Sequence, residues 1–200
     1  MRVTRRGFLF AAASAPLAPA LARREAPPDA VRACCCLLPE SRAGFERALP
    51  GLGQKDVVVR AAAGGWEPSL AGEARSGRLV IFESAAGFGD RQAFEEQRAG
   101  LASAFDLRIE EPVALWPHRT RPEYLDLAWP VRARVRDFSI TTPVRGGELV
   151  GSIGGLPVAA LRRTGSGALL FLGSPIGPAL WSGDAEAHAW LESVAATFVC

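Results

Sequence analysis

The stretch RLVIFESAAGFGD, residues 78–90, decides the reading of the fold. Leu79 to Phe82 is an unbroken apolar run, Glu83 and Ser84 close it, and a small-residue loop with Gly87 and Gly89 follows. From Asp90 the pattern turns helical: Asp90 can cap, and Phe94, Gln97, Leu101 and Phe105 recur at helix spacing. A continuous apolar run, unlike an alternating one, implies a strand covered on both faces, which is the habit of parallel sheets. Strand, glycine loop and helix in that order form the junction where open α/β proteins place working residues, beyond the carboxyl end of a strand. The chain is therefore expected to be α/β, with Glu83 and Ser84 its first candidate site residues.

The neighbouring segments extend that pattern. VRACCCLL (31–38) reads as a first buried strand, PESRAGFERAL (39–49) as a helix with Ser41 as its N-cap, and KDVVVRA (55–61) as a second strand. GGWEPSLAGEARSG (64–77) reads as a glycine-punctuated loop with room for one helical turn. Downstream, a strand is expected near DLRIEE (106–111). PVALWPHRTRPEYLDLAWP (112–130), with prolines and aromatics but no period, reads as a long, partly ordered loop. Val131, Ala133 and Val135 alternate as in a strand, and ELVGSIGG, LPVAALRR and ALLFLGS follow as successive strands. TGSG (164–167) joins the last two as a hairpin, so the sheet is expected to be antiparallel at this end. Ala187, Trp190, Leu191, Val194, Ala195 and Phe198 make the apolar stripe of a closing helix.

The amino terminus is an address, not a fold element. TRRGFLFAAASAPLAPALA (4–22) has a basic start, a short apolar middle and small residues at its end. Thr4, Arg5, Arg6, Phe8 and Leu9 stand in the order of the twin-arginine signal peptide, which the segment resembles, and Pro16 and Pro19 interrupt a stretch too short to span a bilayer. The resemblance implies recognition of Arg5 and Arg6 by the twin-arginine translocation machinery, cleavage after Ala22 and a periplasmic or secreted product. Residues 1–22 are thus expected to be signal, 23–30 a flexible mature N-terminus, and 31–200 one domain. Three of the 23 basic residues lie in the signal, so the remaining 178 residues are near neutral, with 20 bases against 21 acids. Nothing in that balance points to nucleic acid or an anionic membrane.

Cys34, Cys35 and Cys36 are consecutive and Cys200 stands alone. Adjacent strand residues face opposite ways, so buried small apolar side chains are the plainer reading and a metal-handling site the weaker one. No cofactor is expected.

The segment GLPVAALRRTGSGALLFLGSPIGPALWSGDAEAHAWLESVA (155–195) resembles the end of class I glutamine amidotransferase-like domains, including the ThuA-like and related noncatalytic branches. That resemblance implies a flavodoxin-like three-layer sandwich, mostly parallel with an antiparallel C-terminal hairpin, and a cleft above the carboxyl ends of the central strands. The glutaminase triad does not carry over: no cysteine lies in a glycine-flanked turn, and neither His118 nor His188 is followed two residues on by glutamate.

Among the candidates, Ser84 lacks the glycines of a nucleophile elbow, since the local string is F-E-S-A-A; a hydroxyl satisfying a strand end is the simpler role. Glu83 at the end of an apolar strand needs a partner, either an arginine or a functional one. Gly87 and Gly89 precede a helix N-terminus, where Asp90, Glu95 and Glu96 compete with any anion, so a positive-φ turn is the simpler reading. His118, with Trp116, Arg119 and Arg121, lies in the aromatic and proline-rich loop where ligand-contacting groups often occur. His188, flanked by Asp184 and Glu192, reads as a surface residue. The expectation is an exported binding or accessory domain with a small-molecule ligand at Glu83, Ser84, Gly87, Trp116, His118 and Arg119. The alternative is a hydrolase built on Glu83, Ser84 and His118.

Overall fold

The computed structural model describes residues 38–51, 56–85, 90–115, 124–136 and 140–198. The expected signal, residues 31–37 of the strand expected at 31–38, all four cysteines, Gly87, Gly89, Trp116, His118, Arg119 and Arg121 lie outside these residues, while Leu38 opens a helix instead.

Helix α1 spans Leu38–Ala48 and leads through a short 3-10 turn toward strand β1, Val57–Ala63. Helix α2 (Ser69–Arg75), strand β2 (Leu79–Ser84) and helix α3 (Arg91–Phe105) follow. Two-residue strands β3 (Arg108–Ile109) and β4 (Val113–Ala114) precede β5 (Tyr124–Leu127), β6 (Ala133–Arg136), β7 (Ile140–Thr141) and β8 (Val144–Arg145). Strands β9 (Glu148–Ile153), β10 (Leu156–Thr164) and β11 (Gly167–Leu172) then lead into helices α4 (Gly177–Ser182) and α5 (Ala185–Ala196).

Among the described residues, the main sheet has seven strands in the order β1-β2-β11-β10-β9-β5-β6, while β3 pairs with β8 and β4 with β7 in two small ladders. Only β1 with β2 and β2 with β11 run parallel. The pairings of β11 with β10, β10 with β9, β9 with β5 and β5 with β6 are all antiparallel. The flavodoxin-like, mostly parallel sandwich expected from the sequence is therefore incorrect: the sheet is mixed, with its antiparallel part the larger. The cause is connection length, because a parallel return needs a crossover of a dozen or more residues. Gly154 and Gly155, at φ 56° and 83°, turn β9 straight back into β10, and Gly165, at φ 59°, starts the turn from β10 into β11. Burial alone misleads here: Val158 to Leu161 of β10 are buried in succession although both its partners are antiparallel. The proline-rich 112–130 segment also contains β4 and β5, where a loop was expected.

Side chains alternate between two cores. Leu79, Ile81, Leu170 and Leu172 join Phe45 of α1, Leu180 of α4 and Trp190 of α5 on one face. Val80, Phe82, Leu169 and Phe171 join Leu70 of α2 and Phe94, Leu101 and Phe105 of α3 on the other. Two helices start on aspartate caps: Asp90 accepts from the Ala93 N–H at 3.1 Å and Asp184 from the Ala187 N–H at 2.9 Å. Among the described residues, no helix is long and apolar enough to cross a membrane.

Candidate functional site

Glu83 and Ser84 lie where the sequence places them, at the carboxyl end of β2, but the structure gives both a structural occupation. Strand alternation turns Glu83 toward the α1/α4 face, where it is wholly buried at 0 % exposure. Among the described residues, no arginine meets it. Instead Oε2 accepts the backbone N–H of Ile176 at 2.8 Å and of Gly177 at 3.0 Å, and Oε1 accepts the Ala62 N–H at 3.3 Å and the Ser41 hydroxyl. The Arg partner that the sequence suggested is thus replaced by four neutral donors.

Each donor has a local cause. The β1–β2 register shifts between Arg60 and Ala63, and Ala62 sits at φ 50°, which turns its N–H inward. Ile176 and Gly177 open α4, whose first N–H groups have no partner within the helix. Ser41 is not an N-cap: α1 starts earlier, at Leu38, and Ser41 is buried within it. Close approach makes the contact, since Gly44 and Gly177 pack without side chains where α1 crosses α4, and a Cβ on Gly44 would collide with the Gly177 carbonyl. Burial pushes the Glu83 carboxyl above its ordinary range, opposed by the hydrogen bonds from Ser41, Gly177, Ile176 and Ala62.

Ser84 points to the other face, is 1 % exposed, and its hydroxyl donates to Gln97 Oε1. Gln97 is itself buried in α3, and its Nε2 donates to the carbonyls of Ala63 at 3.2 Å and Gly65 at 3.4 Å. This chain ties the ends of β1 and β2 to α3. An amide oxygen accepts a hydrogen bond but is no base, so Gln97 does not activate the Ser84 hydroxyl. Sequence reasoning missed Ser41, Ala62 and Gln97; the only signal was a polar Gln at a core position of α3.

A groove of about 500 Å³ lies beside β1, lined by residues that include Arg42, Phe45, Val59, Arg60, Trp66 and Glu96. Neither Glu83 nor Ser84 lines it. Arg60 is paired with Glu67 at 3.0 Å, and the Trp66 ring packs against Phe82 and Phe105. His188 is not a free member of a surface charge ladder: its Nε2 lies 2.9 Å from the Leu180 carbonyl, bracing α5 on α4. Among the described residues, no cluster of three or more His, Cys, Asp or Glu could hold a metal.

No family model and no curated protein matches the sequence. Solved structures do share the fold. A β-galactosidase from Bacillus circulans sp. alkalophilus aligns at TM-score 0.53 and 16% identity over 75% of this chain and 26% of its own. A β-galactosidase from the psychrophilic Marinomonas ef1 aligns at 0.52 and 19%, over 78% of this chain and 25% of its own. A cytoplasmic protein from Salmonella typhimurium LT2 aligns at 0.55 and 12%, over 88% of this chain and 89% of its own. The chain thus spans about a quarter of the length of those β-galactosidases and nearly the whole of the Salmonella protein. At these identities the likeness is one of fold: a mixed-sheet α/β domain that occurs both as part of larger glycosidases and by itself.

Proposed function

We infer that this chain is an exported accessory or binding domain that does not catalyse a reaction through its strand-end residues. The observation that carries the reading is the internal use of both polar side chains at the β2 terminus. Every oxygen of Glu83 is met by a donor, and the Ser84 hydroxyl gives its proton to an amide. Both are buried, so neither is presented to a substrate. Relation to noncatalytic amidotransferase-like domains rests on the C-terminal sequence phrases, and export rests on the Arg5–Arg6 segment. A small-molecule ligand, where one binds, falls to Gly87, Trp116, His118 and Arg119 rather than to Glu83 or Ser84.

The test is a fluorophosphonate probe on purified protein. We expect no labelling, and Ser84→Ala to cost only about 1 kcal/mol, the worth of one internal hydrogen bond. Stoichiometric labelling that vanishes in Ser84→Ala would replace this reading with the hydrolase built on Glu83, Ser84 and His118.

A further inference from the structure

We propose that Glu186 is an edge guard: its carboxylate occupies the outward-facing N–H of Arg134 on β6 and so prevents that strand from pairing with β6 of a second copy of this chain. Among the described residues, β6 is the last strand at one end of the sheet, with β5 as its single partner there. The unused side of such a strand carries free N–H and C=O groups, a template for another edge. Here the template is interrupted, because the Arg134 N–H donates to Glu186 Oε2 at 2.7 Å.

The guard is positioned by α5. This helix starts on the Asp184 cap, which places Glu186 in its first turn, and packs on β6. Lower on the helix, Trp190 Nε1 donates to the Trp129 carbonyl at 2.8 Å, fixing α5 at the entry to β6. The carboxylate therefore reaches the strand from a helix pinned at two points.

Among the described residues, the Arg134 side chain is engaged on the other strand. Its guanidinium is drawn onto β5, with Nε 3.2 Å from Asp126 Oδ1 and its carbon centre 4.7 Å from the Tyr124 ring. That pair stays more than half exposed, so it fixes the side chain over β5 without closing the strand's outer edge. A two-fold antiparallel pairing of β6 with itself would need the Arg134 N–H as a ladder donor, and that is the group Glu186 holds.

Three variants test this by sedimentation and light scattering over a range of concentrations, with hydrogen exchange read at Arg134. Glu186→Ala is expected to associate beyond wild type, its average mass rising toward about twice the wild-type value, the mark of an isologous pair. Glu186→Gln keeps an oxygen acceptor and is expected to match wild type. Adding Arg134→Pro to Glu186→Ala removes the N–H at an edge position that tolerates proline, and is expected to abolish the extra association. The proposal is overturned if Glu186→Ala associates no more than wild type, or if its association survives Arg134→Pro.

Discussion

Glu83 accepts four neutral donors and meets no cation, so its energetics differ from those of a buried ion pair. Removing it leaves the N–H groups of Ala62, Ile176 and Gly177 without their acceptor in the core. At about 1–3 kcal/mol for each stranded group, Glu83→Ala should destabilise the fold by roughly 3–5 kcal/mol in denaturant titration. Glu83→Gln is milder, because its oxygen can still accept from Ile176 and Gly177, and only the Ala62 N–H loses its acceptor. The pH dependence follows from the raised carboxyl. An acid whose folded pKa exceeds the unfolded value near 4.5 contributes full stability below that value and loses it as pH rises through the folded pKa. Wild-type stability should therefore decline upward from about pH 4.5, and Glu83→Gln should flatten that decline. Equal slopes in the two proteins would show that Glu83 is ionised on folding. Sequence reasoning found the position of Glu83 but not its partners, which come from α1, β1 and α4 and meet only in three dimensions.

Helices α1 and α4 touch through glycine, and that contact brings Ser41 to Glu83. Gly44→Ala puts a methyl group into the Gly177 carbonyl, and forcing the helices apart should cost about 1–3 kcal/mol from overpacking and more if the Ser41 hydrogen bond is lost. Thermal unfolding of Gly44→Ala should fall well below that of an alanine at Gly72, which meets nothing within 4 Å. A cap is a smaller matter: Asp184→Ala should cost about 1 kcal/mol and loosen the first turn of α5. Helices α3 and α5 were legible because their apolar stripes, and for α3 the Asp90 cap, are local signals. Phe94, Gln97, Leu101 and Phe105 are the buried residues of α3. Strand direction was legible at TGSG, where β10 and β11 pair antiparallel as expected, but not elsewhere, since a run such as Val158 to Leu161 looks alike in parallel and antiparallel surroundings. The discriminating information lay in the turns at Gly154–Gly155 and Gly165, which are too short for a crossover.

At the scale of the molecule, the export reading makes its own demand. Arg5→Lys together with Arg6→Lys should leave the full-length chain in the cytoplasm, read by fractionation, because a guanidinium pair is not replaced by two ammonium groups. Normal export of that double variant would remove the twin-arginine assignment. The position of β11 carries a separate consequence, for biosynthesis. It lies between β2 and β10, so its insertion completes both the parallel and the antiparallel parts of the sheet. Until Leu172 has cleared the ribosome tunnel, β2 keeps one whole flank bare, with Leu79 to Phe82 exposed on a half-made chain. Nascent chains stalled before β11 should be digested quickly by added protease, and those stalled well beyond α5 should resist it. Completion of the sheet therefore waits until β11 has emerged.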